Sequence, residues 1–293
     1  MAMGLINSDL LNSALSGSRR DLSRILTAIE DGHRFEVGPQ EPWTLGVTGP
    51  PGVGKSSLIG RLISRWVERG QRVAVLAVDP SSPNSGGALL ADRMRMGAID
   101  SGDSVFVRSL ATRNHPGGLA SCLSPMIGCL AACGWNRIVI ETVGSGQSEI
   151  RIVAFADRVL LVDGPDRGDT VQAEKAGIME LADIIAINKS DLPNSQQAAD
   201  SVRSAIGLSQ DSQTPVHLVS AHDGNGVDEL LEEIESCSGS QRRERLRVRE
   251  RLLSAWDSRL LGHPRINEVL DAVENGSITL DEAVEILDLE VRR

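Results

Sequence analysis

The fold of this chain is decided by one short stretch of sequence, Gly49-Pro50-Pro51-Gly52-Val53-Gly54-Lys55-Ser56. The stretch fits the pattern G-x-x-x-x-G-K-[ST] of a phosphate-binding loop at every fixed position. The apolar run 44–48 precedes it, and apolar residues at helical spacing follow it: Leu58, Leu62, Ile63 and Trp66. Because the pattern requires a strand before the loop and a helix after it, these flanks favour a phosphate site over a ligand-free glycine turn.

The residue types of the loop suit phosphate chemistry. Glycines let backbone N–H groups approach phosphate oxygens, and the helix that begins near Lys55 adds the positive end of its dipole. We expect the Lys55 ammonium to reach the β- and γ-phosphates, and the Ser56 hydroxyl to be a magnesium ligand. The predicted nucleotide-binding residues of this segment are Gly49, Pro50, Pro51, Gly52, Val53, Gly54, Lys55, Ser56 and Ser57.

A second motif indicates which base is bound. Asn188-Lys189-Ser190-Asp191 follows an apolar run and fits the N-K-x-D pattern of GTP-binding proteins. The Asp191 carboxylate can accept hydrogen bonds from N1–H and the 2-amino group of guanine, whereas adenine has no donors in that arrangement. Lys189 can lay its stem on the base, and Ser220-Ala221 matches the element whose backbone N–H contacts guanine O6. We therefore predict GTP rather than ATP; a helix-capping or turn role is the alternative for Asp191.

Acidic residues near strand ends predict a magnesium site. A carboxylate that faces the phosphate loop, as expected of Glu141, suits Mg²⁺, often through water. Asp79 and Asp92 are expected to hold magnesium-bound water or to orient the attacking water. The alternative for Asp79 is a structural role in a turn, and for Asp92 it is a helix cap. We expect Gly144 to give its N–H to the γ-phosphate and residues 145–149 to act as a switch. The predicted metal ligands are Ser56, Asp79, Asp92 and Glu141, and the predicted catalytic residues are Lys55, Asp79, Asp92, Glu141 and Gly144.

The wider pattern predicts an α/β fold. Short aliphatic runs alternate with longer helical stretches at residues 44–48, 72–78, 105–108, 137–142, 158–162, 184–188 and 216–219. Strands that are nearly continuous in Val, Ile and Leu are typical of a parallel sheet covered by helices on both faces. We predict a P-loop NTPase with a mostly parallel, doubly wound sheet in residues 41–237, an N-terminal helical extension in 1–40 and a C-terminal helical dimerisation arm in 238–293.

The two ends of the chain carry helical patterns. Leu22, Ile25, Leu26 and Ile29 fall on one helix face that needs a surface to pack on. Thr279 and Glu282 have the spacing of a capping box at the start of the last helix. Glu244 and Glu250 interrupt the Arg-rich stretch 242–251, which we interpret as a solvated helix face rather than a nucleic-acid contact.

Composition narrows the function classes. The chain has 293 residues, 40 acidic and 30 basic, and a net charge of −10, which argues against a nucleic-acid binder. No stretch approaches the roughly 18 apolar residues of a membrane span, so we expect no membrane partner. Four cysteines, Cys122, Cys129, Cys133 and Cys237, are few for this length. They favour core positions in a reducing, cytoplasmic protein over a disulfide framework or a metal site.

The sequence resembles the methylmalonyl-CoA mutase-associated GTPases of the MeaB/ArgK type. The matching stretches are residues 46–57, 76–82, 92–96, 141–149 and 181–191. The block E-T-V-G-S-G-Q-S-E at 141–149, downstream of a complete phosphate loop, is the most specific of them.

The resemblance implies a SIMIBI-type G domain with helical extensions, which works as a homodimer. Members of the family bind an adenosylcobalamin-dependent acyl-CoA mutase, gate its cofactor loading, and protect or reactivate it by binding and hydrolysing GTP. The family's functional acids fall on Asp79, Asp92 and Glu141, and its loop lysine falls on Lys55. Mg²⁺ and GTP or GDP are the implied ligands. The client is expected to be methylmalonyl-CoA mutase or a relative that acts on another acyl-CoA.

Two other hypotheses are consistent with the same fold but assign a different function. One is a nickel-insertion GTPase for hydrogenase or urease, although the sequence has no cysteine before Cys122 and a single early histidine, His33. The other is a kinase of a transport protein, for which the sequence offers no acceptor-substrate constellation beyond the nucleotide site.

Overall fold

Seven strands form one parallel sheet in the computed structural model, which describes residues 8–33, 40, 42–79, 102–111, 120–142, 154–165, 178–207, 214–237 and 241–291. The strands are β1 (Thr44–Thr48), β2 (Val73–Asp79), β3 (Val105–Ala111), β4 (Arg137–Thr142), β5 (Arg158–Asp163), β6 (Ile184–Ile187) and β7 (Val216–Leu218). Their order in the sheet is β3-β2-β4-β1-β5-β6-β7, and every neighbouring pair is parallel. The predicted parallel sheet is confirmed, and β1 lies at its centre.

Nine helices surround or extend the sheet in the described part of the chain. They are α1 (Ser8–Leu15), α2 (Arg19–Glu30), α3 (Lys55–Glu68), α4 (Ala120–Ala132), α5 (Ser195–Gly207), α6 (Val227–Ser236), α7 (Gln241–Leu261), α8 (Ile266–Glu274) and α9 (Leu280–Val291). A short 3-10 turn, Gly102–Ser104, precedes β3.

Alternate residues of the strands feed two separate cores. On β2, Ala74 and Leu76 belong to the core that includes α2 and α4, whereas Val73 and Val75 belong to the core that includes α3 and α6. Because successive side chains of a strand point to opposite faces, this division places helices on both faces of the sheet. The predicted doubly wound architecture is therefore confirmed.

Helix α2 packs on one face of the sheet near the edge strand β3. All four residues of its predicted apolar stripe, Leu22, Ile25, Leu26 and Ile29, are buried, and the helix packs against α4. Ser18 caps its N-terminus by accepting a hydrogen bond from the N–H of Asp21. Arg108 of β3 bonds to Glu30 at 2.5 Å and to Thr27 at 3.0 Å, which ties the helix to the edge strand.

Helix α7 corrects the interpretation of the Arg-rich stretch as a solvated face. The side chain of Arg247 is 1% exposed, forms an ion pair with the buried Asp183, and donates to the carbonyl oxygen of Asp157 at 2.6 Å. Arg251 donates to the carbonyl oxygen of Ala154 at 2.6 Å. The prediction was wrong for these residues because their partners lie far away in sequence, just before β5 and β6.

The opposite face of α7 is open to solvent and carries a row of apolar side chains. Val248 is 51% exposed, Leu252 66% and Trp256 57%, and their spacing of four residues aligns them along the helix. The helix therefore buries arginines against the sheet end and exposes aliphatic and aromatic side chains.

Helices α8 and α9 form a hairpin with a small core of its own, made by Val269, Ala283 and Leu287. The predicted capping box is confirmed: Thr279 N–H donates to the Glu282 carboxylate at 2.8 Å, and Glu282 N–H donates to the Thr279 hydroxyl at 3.3 Å. Both exchanges satisfy N–H groups that the first turn of α9 would leave without a partner.

Three of the four cysteines occupy core positions, as predicted. Cys122, Cys129 and Cys133 are buried on and just after α4, Cys237 is half-buried, and none of these four forms a disulfide. Among the described residues, no helix combines the length and the apolar content that a bilayer crossing demands.

Candidate nucleotide-binding site

The phosphate loop joins β1 to α3 at the centre of the sheet, and two of its glycines are required by its shape. Gly49 has φ 140°, and a Cβ atom there would lie 1.9 Å from the carbonyl oxygen of Val162. Gly54 has φ 90°, and a Cβ atom there would lie 2.4 Å from Nδ2 of Asn188. The loop is therefore seated directly against β5 and against the N-K-x-D segment, which brings the two sequence motifs together.

Lys55 opens α3 and folds back into the loop. Its side chain is buried, and its ammonium donates to the carbonyl oxygens of Gly49 at 2.6 Å and Pro50 at 3.0 Å. These neutral acceptors hold the cation inside the loop. A phosphate oxygen that enters the loop would offer the same ammonium a stronger, charged acceptor.

Ser56 and Glu141 meet at the carboxyl end of the sheet. The Ser56 hydroxyl donates to Oε1 of Glu141 at 2.6 Å, and the Glu141 side chain is 5% exposed. The strand register explains the meeting, because Val47, just before the loop, pairs with Glu141 on β4. A hydroxyl and a carboxylate at this position are a hard oxygen donor set of the kind that Mg²⁺ prefers.

Of the other two predicted acids, the structure describes the backbone of Asp79 but not Asp92. Asp79 is the last residue of β2, and β2 pairs with β4 so that Ala77 lies opposite Glu141. The backbone of Asp79 therefore lies at the carboxyl end of the sheet, as does Glu141. Asp92 and Gly144, together with the switch 145–149, lie outside the described residues.

Asn188 joins the phosphate loop to the segment after β7. Its Nδ2 donates to the carbonyl oxygen of Val53 at 2.8 Å, and its Oδ1 accepts from the N–H of Ala221 at 3.0 Å. The side chain is 2% exposed. The sequence motif names Asn188 as a nucleotide-binding residue; the structure adds that it links the two loops on either side of the predicted base site.

Asp191 and Ser220 form the second contact between these segments. The Ser220 hydroxyl donates to Oδ1 of Asp191 at 2.7 Å. This hydrogen bond is the main cause that holds the pKa of the Asp191 carboxyl below its ordinary value, and a backbone hydrogen bond and the nearby charge of Lys189 add smaller contributions. The carboxylate stays exposed and ionised, which leaves it free to accept from donors on a base.

Lys189 has φ 62°, a left-handed conformation that turns the chain between Asn188 and Asp191. Ser190 N–H donates to the carbonyl oxygen of Val219 at 3.0 Å, which sets this turn beside the Ser220-Ala221 segment. The predicted base-reading residues are thus brought together by the ends of the adjacent strands β6 and β7. The hydroxyl contact of Ser220 with Asp191 is the part that the motif did not reveal.

A central parallel sheet, a complete phosphate loop and a carboxylate beside its serine define a P-loop nucleotide-binding protein with a G domain of the SIMIBI type. The sequence model of one family, the Methylmalonyl Co-A mutase-associated GTPase MeaB family, matches residues 36–263. This chain belongs to that family.

Individual relatives agree with this membership. A protein of Pyrococcus abyssi designated a GTPase is 40% identical over 240 residues, which cover 77% of this chain and 74% of that protein. The fused isobutyryl-CoA mutase of Cupriavidus metallidurans is 37% identical over 201 residues, which cover 64% of this chain and 18% of that protein.

A solved structure shares this fold. The crystal structure of an LAO/AO transport system kinase superimposes with a TM-score of 0.65 over 99% of this chain and 100% of the other, at 24% identity. At that identity, the likeness extends to the fold and not to the activity that its name describes.

Proposed function

We propose that this chain is a GTP-binding and GTP-hydrolysing chaperone of an adenosylcobalamin-dependent acyl-CoA mutase. In this proposal it gates cofactor loading and protects or reactivates the mutase, which is methylmalonyl-CoA mutase or a close relative. The observation that carries the nucleotide half is the buried Asn188 side chain, which binds the phosphate loop and the Ser220-Ala221 segment at once. The client half is supported by the family and by the relative in which a similar segment is fused to a mutase.

Binding would begin with an exchange of acceptors at Lys55. The ammonium leaves the carbonyl oxygens of Gly49 and Pro50 for the β- and γ-phosphates, while the loop N–H groups and the first turn of α3 face the phosphate oxygens. Charge-assisted hydrogen bonds are roughly twice as strong as neutral ones, so this exchange favours a phosphate ligand without a basic surface elsewhere.

Ser56 and Glu141 would hold a magnesium ion, Ser56 directly and Glu141 directly or through water, with Asp79 and Asp92 as further proposed holders. The fit rests on the 2.6 Å contact between the Ser56 hydroxyl and the Glu141 carboxylate, since both groups supply oxygen to the same point. A bound magnesium ion neutralises charge that develops on the β- and γ-phosphate oxygens.

Guanine would be read by Asp191, which accepts from N1–H and the 2-amino group, with Lys189 against the face of the ring. The Ala221 N–H, now bonded to Asn188 Oδ1, is the proposed donor to O6. Adenine has no donors in that arrangement, so the ionised Asp191 would receive no hydrogen bond from the base, which disfavours ATP.

Hydrolysis would be coupled to the client through the segment after β4. We propose that Gly144 senses the γ-phosphate and that 145–149 change conformation when it is lost. Because phosphoryl transfer depends on positioning and charge stabilisation, a mutase docked on this segment would accelerate turnover.

We further propose that the protein acts as a cytoplasmic homodimer through its C-terminal arm. The support is the row of exposed apolar side chains on α7, where Val248, Leu252 and Trp256 are each more than half exposed. Isolated exposed apolar residues are common, but an aligned set on one helix is typical of an interaction surface. Trp256→Glu should shift the sedimentation profile to the monomer; an unchanged dimer would place the interface elsewhere.

The experiment that tests the whole proposal measures phosphate release from GTP by the purified chain, with and without methylmalonyl-CoA mutase or isobutyryl-CoA mutase. We expect slow hydrolysis alone and faster hydrolysis with the client, and Lys55→Ala should abolish both. An unchanged rate with both mutases would contradict the coupling. Transfer of the γ-phosphate to a partner protein, rather than to water, would favour the kinase reading.

A further inference from the structure

Arg61 connects the helix after the phosphate loop to the loop after β7. It lies on α3, less than two turns from Lys55, and its side chain reaches two successive carbonyl groups. Nε donates to the carbonyl oxygen of Ala221 at 2.8 Å, and Nη2 donates to that of His222 at 2.5 Å. A rigid planar fork suits two neighbouring acceptors, and a lysine ammonium does not offer that geometry.

The contacts of Arg61 continue from the backbone to Asp191. The peptide bond is planar and trans, so a fixed carbonyl of His222 also fixes the N–H of Asp223, which points the other way. That N–H donates to the Ser220 hydroxyl at 3.2 Å, and the hydroxyl donates to Oδ1 of Asp191 at 2.7 Å. Three hydrogen bonds and the peptide bond between His222 and Asp223 therefore connect the Arg61 guanidinium to the carboxylate that is proposed to read guanine.

The second carbonyl contact acts on the other side of the base site. Ala221 receives Arg61 at its carbonyl oxygen and gives its N–H to Asn188 Oδ1 at 3.0 Å. The loop is closed locally by Ser220 N–H, which donates to the carbonyl oxygen of Asn225 at 2.9 Å. Arg61 is thus an external anchor of a loop whose two functional groups, the Ser220 hydroxyl and the Ala221 N–H, face the N-K-x-D segment.

We propose that Arg61 is a positioning residue for base recognition, which sets the 220–223 loop so that Ser220 orients Asp191 and Ala221 presents its N–H. The inference rests on the proposed guanine-nucleotide site and adds to it a residue outside the known motifs. Arg61 does not touch the nucleotide in this proposal; it acts through the backbone of Ala221 and His222.

The test compares Arg61→Gln with a matched control on the same helix. Arg65, one turn further on, is also a cation that joins α3 to a later segment, but its partner is the Asp228 carboxylate of α6, at 2.7 Å. Equilibrium dissociation constants for GDP, inosine diphosphate and ADP are measured for the wild type, Arg61→Gln, Arg61→Lys and Arg65→Gln. Inosine diphosphate lacks the 2-amino group, so the ratio of its dissociation constant to that of GDP reports on Asp191.

We expect Arg61→Gln to weaken GDP binding by about tenfold, which is the effect of losing one hydrogen bond to a charged group. The ratio of the dissociation constant of inosine diphosphate to that of GDP should fall severalfold. Arg61→Lys should fall between, and Arg65→Gln should match the wild type in both quantities. The ratio refers to folded protein, so partial unfolding of a variant does not imitate the effect.

An unchanged ratio in Arg61→Gln, with GDP and inosine diphosphate weakened equally or not at all, would overturn the positioning role and leave the guanine site intact. A wild type that does not prefer GDP over ADP would instead overturn the proposed function on which this inference rests.

Discussion

The two ends of the parallel sheet carry similar kinds of polar residue in very different surroundings. At the carboxyl end, Lys55 bonds to backbone carbonyls of its own loop, and Ser56 bonds to Glu141. At the amino end, Arg247 enters from α7 and pairs with Asp183, with both side chains at most 1% exposed. The first set lies around a loop that begins a helix, and the second set lies beneath a helix that covers it.

The difference teaches how the fold separates binding from stability. At the carboxyl end, the acceptors of the Lys55 ammonium are neutral oxygens that a phosphate can replace. At the amino end, Asp183 also accepts from the N–H of Val159 at 2.9 Å, so its carboxylate is committed to the start of β5 as well as to α7. We therefore expect substitutions at the amino end to change stability and those at the carboxyl end to change ligand affinity.

The largest effect is expected at the amino end. Arg247→Met leaves Asp183 as a buried charge without its cation, which should lower the free energy of unfolding by about 3–5 kcal/mol in urea denaturation. GDP affinity of the remaining folded protein should stay within about twofold of the wild type.

Arg249→Met is the matched control, because Arg249 lies on the exposed side of the same helix. It should change stability by no more than about 0.5 kcal/mol. Removing both charges, in Arg247→Met with Asp183→Asn, should recover much of the loss, because the amide oxygen still accepts from the N–H of Val159. A small loss in Arg247→Met would mean that the pair is not what anchors α7.

The reverse pattern is expected for Lys55→Ala. Loss of the loop cation should weaken GTP binding by about 100-fold, or about 2.7 kcal/mol, since charge-assisted phosphate contacts are lost. Thermal unfolding should change little, because the two carbonyl acceptors of Lys55 belong to a turn open to solvent at Pro51 and Gly52. Isothermal titration with GTP beside a melting curve gives both quantities; a large drop in melting temperature with affinity retained would reverse the assignment of roles.

The amino-acid pattern predicted the sheet well, for a physical reason. Strands buried on both faces are nearly continuous aliphatic runs, so residues 137–142 matched β4 without change, and β5 exceeds its predicted run by Asp163 alone. The stripe on α2 and the capping box at Thr279 are likewise local patterns, complete within one or two turns.

Features that depend on distant partners were not predictable in the same way. Arg247 looked solvated because its own neighbours are charged, while Asp183 lies 64 residues away. The motifs named Asn188 and Glu141 through residue type and spacing, yet the contact of Glu141 with Ser56 depends on β4 lying beside β1. Arg61 carries no sequence signal, because an arginine on the polar side of an amphipathic helix is ordinary.

A smaller effect is expected for Asp191→Asn, which sharpens the comparison at the carboxyl end. The amide has the same size as the carboxylate, but its NH₂ group is a donor and cannot accept from N1–H and the 2-amino group of guanine. The preference for GTP over xanthosine triphosphate should shift by at least about tenfold toward the latter, whose carbonyl replaces the 2-amino group. Competition binding measures the shift, and an unchanged preference would remove Asp191 from base recognition.

The smallest effect concerns the hydrogen bond that orients Asp191. Removing the Ser220 hydroxyl should raise the pKa of the Asp191 carboxyl toward its ordinary value, because that hydrogen bond is the main cause of the lowering. A carboxyl with a lowered pKa in the folded protein stabilises the fold above its unfolded pKa, and this contribution is lost as the pH falls through the folded pKa. In Ser220→Ala the contribution shrinks at neutral pH, and the acidic limb of GDP binding moves to higher pH.

Carboxyl ¹³C NMR titration of Asp191 measures that shift directly. Ser236→Ala is the control, since the Ser236 hydroxyl bonds to a carbonyl oxygen of its own helix, that of Glu233, at 3.2 Å. It should leave the pKa of Asp191 unchanged. If Ser220→Ala also leaves it unchanged, the hydroxyl does not orient the carboxylate, and the carboxyl end of the sheet would read its base with a less ordered Asp191 than the 2.7 Å contact indicates.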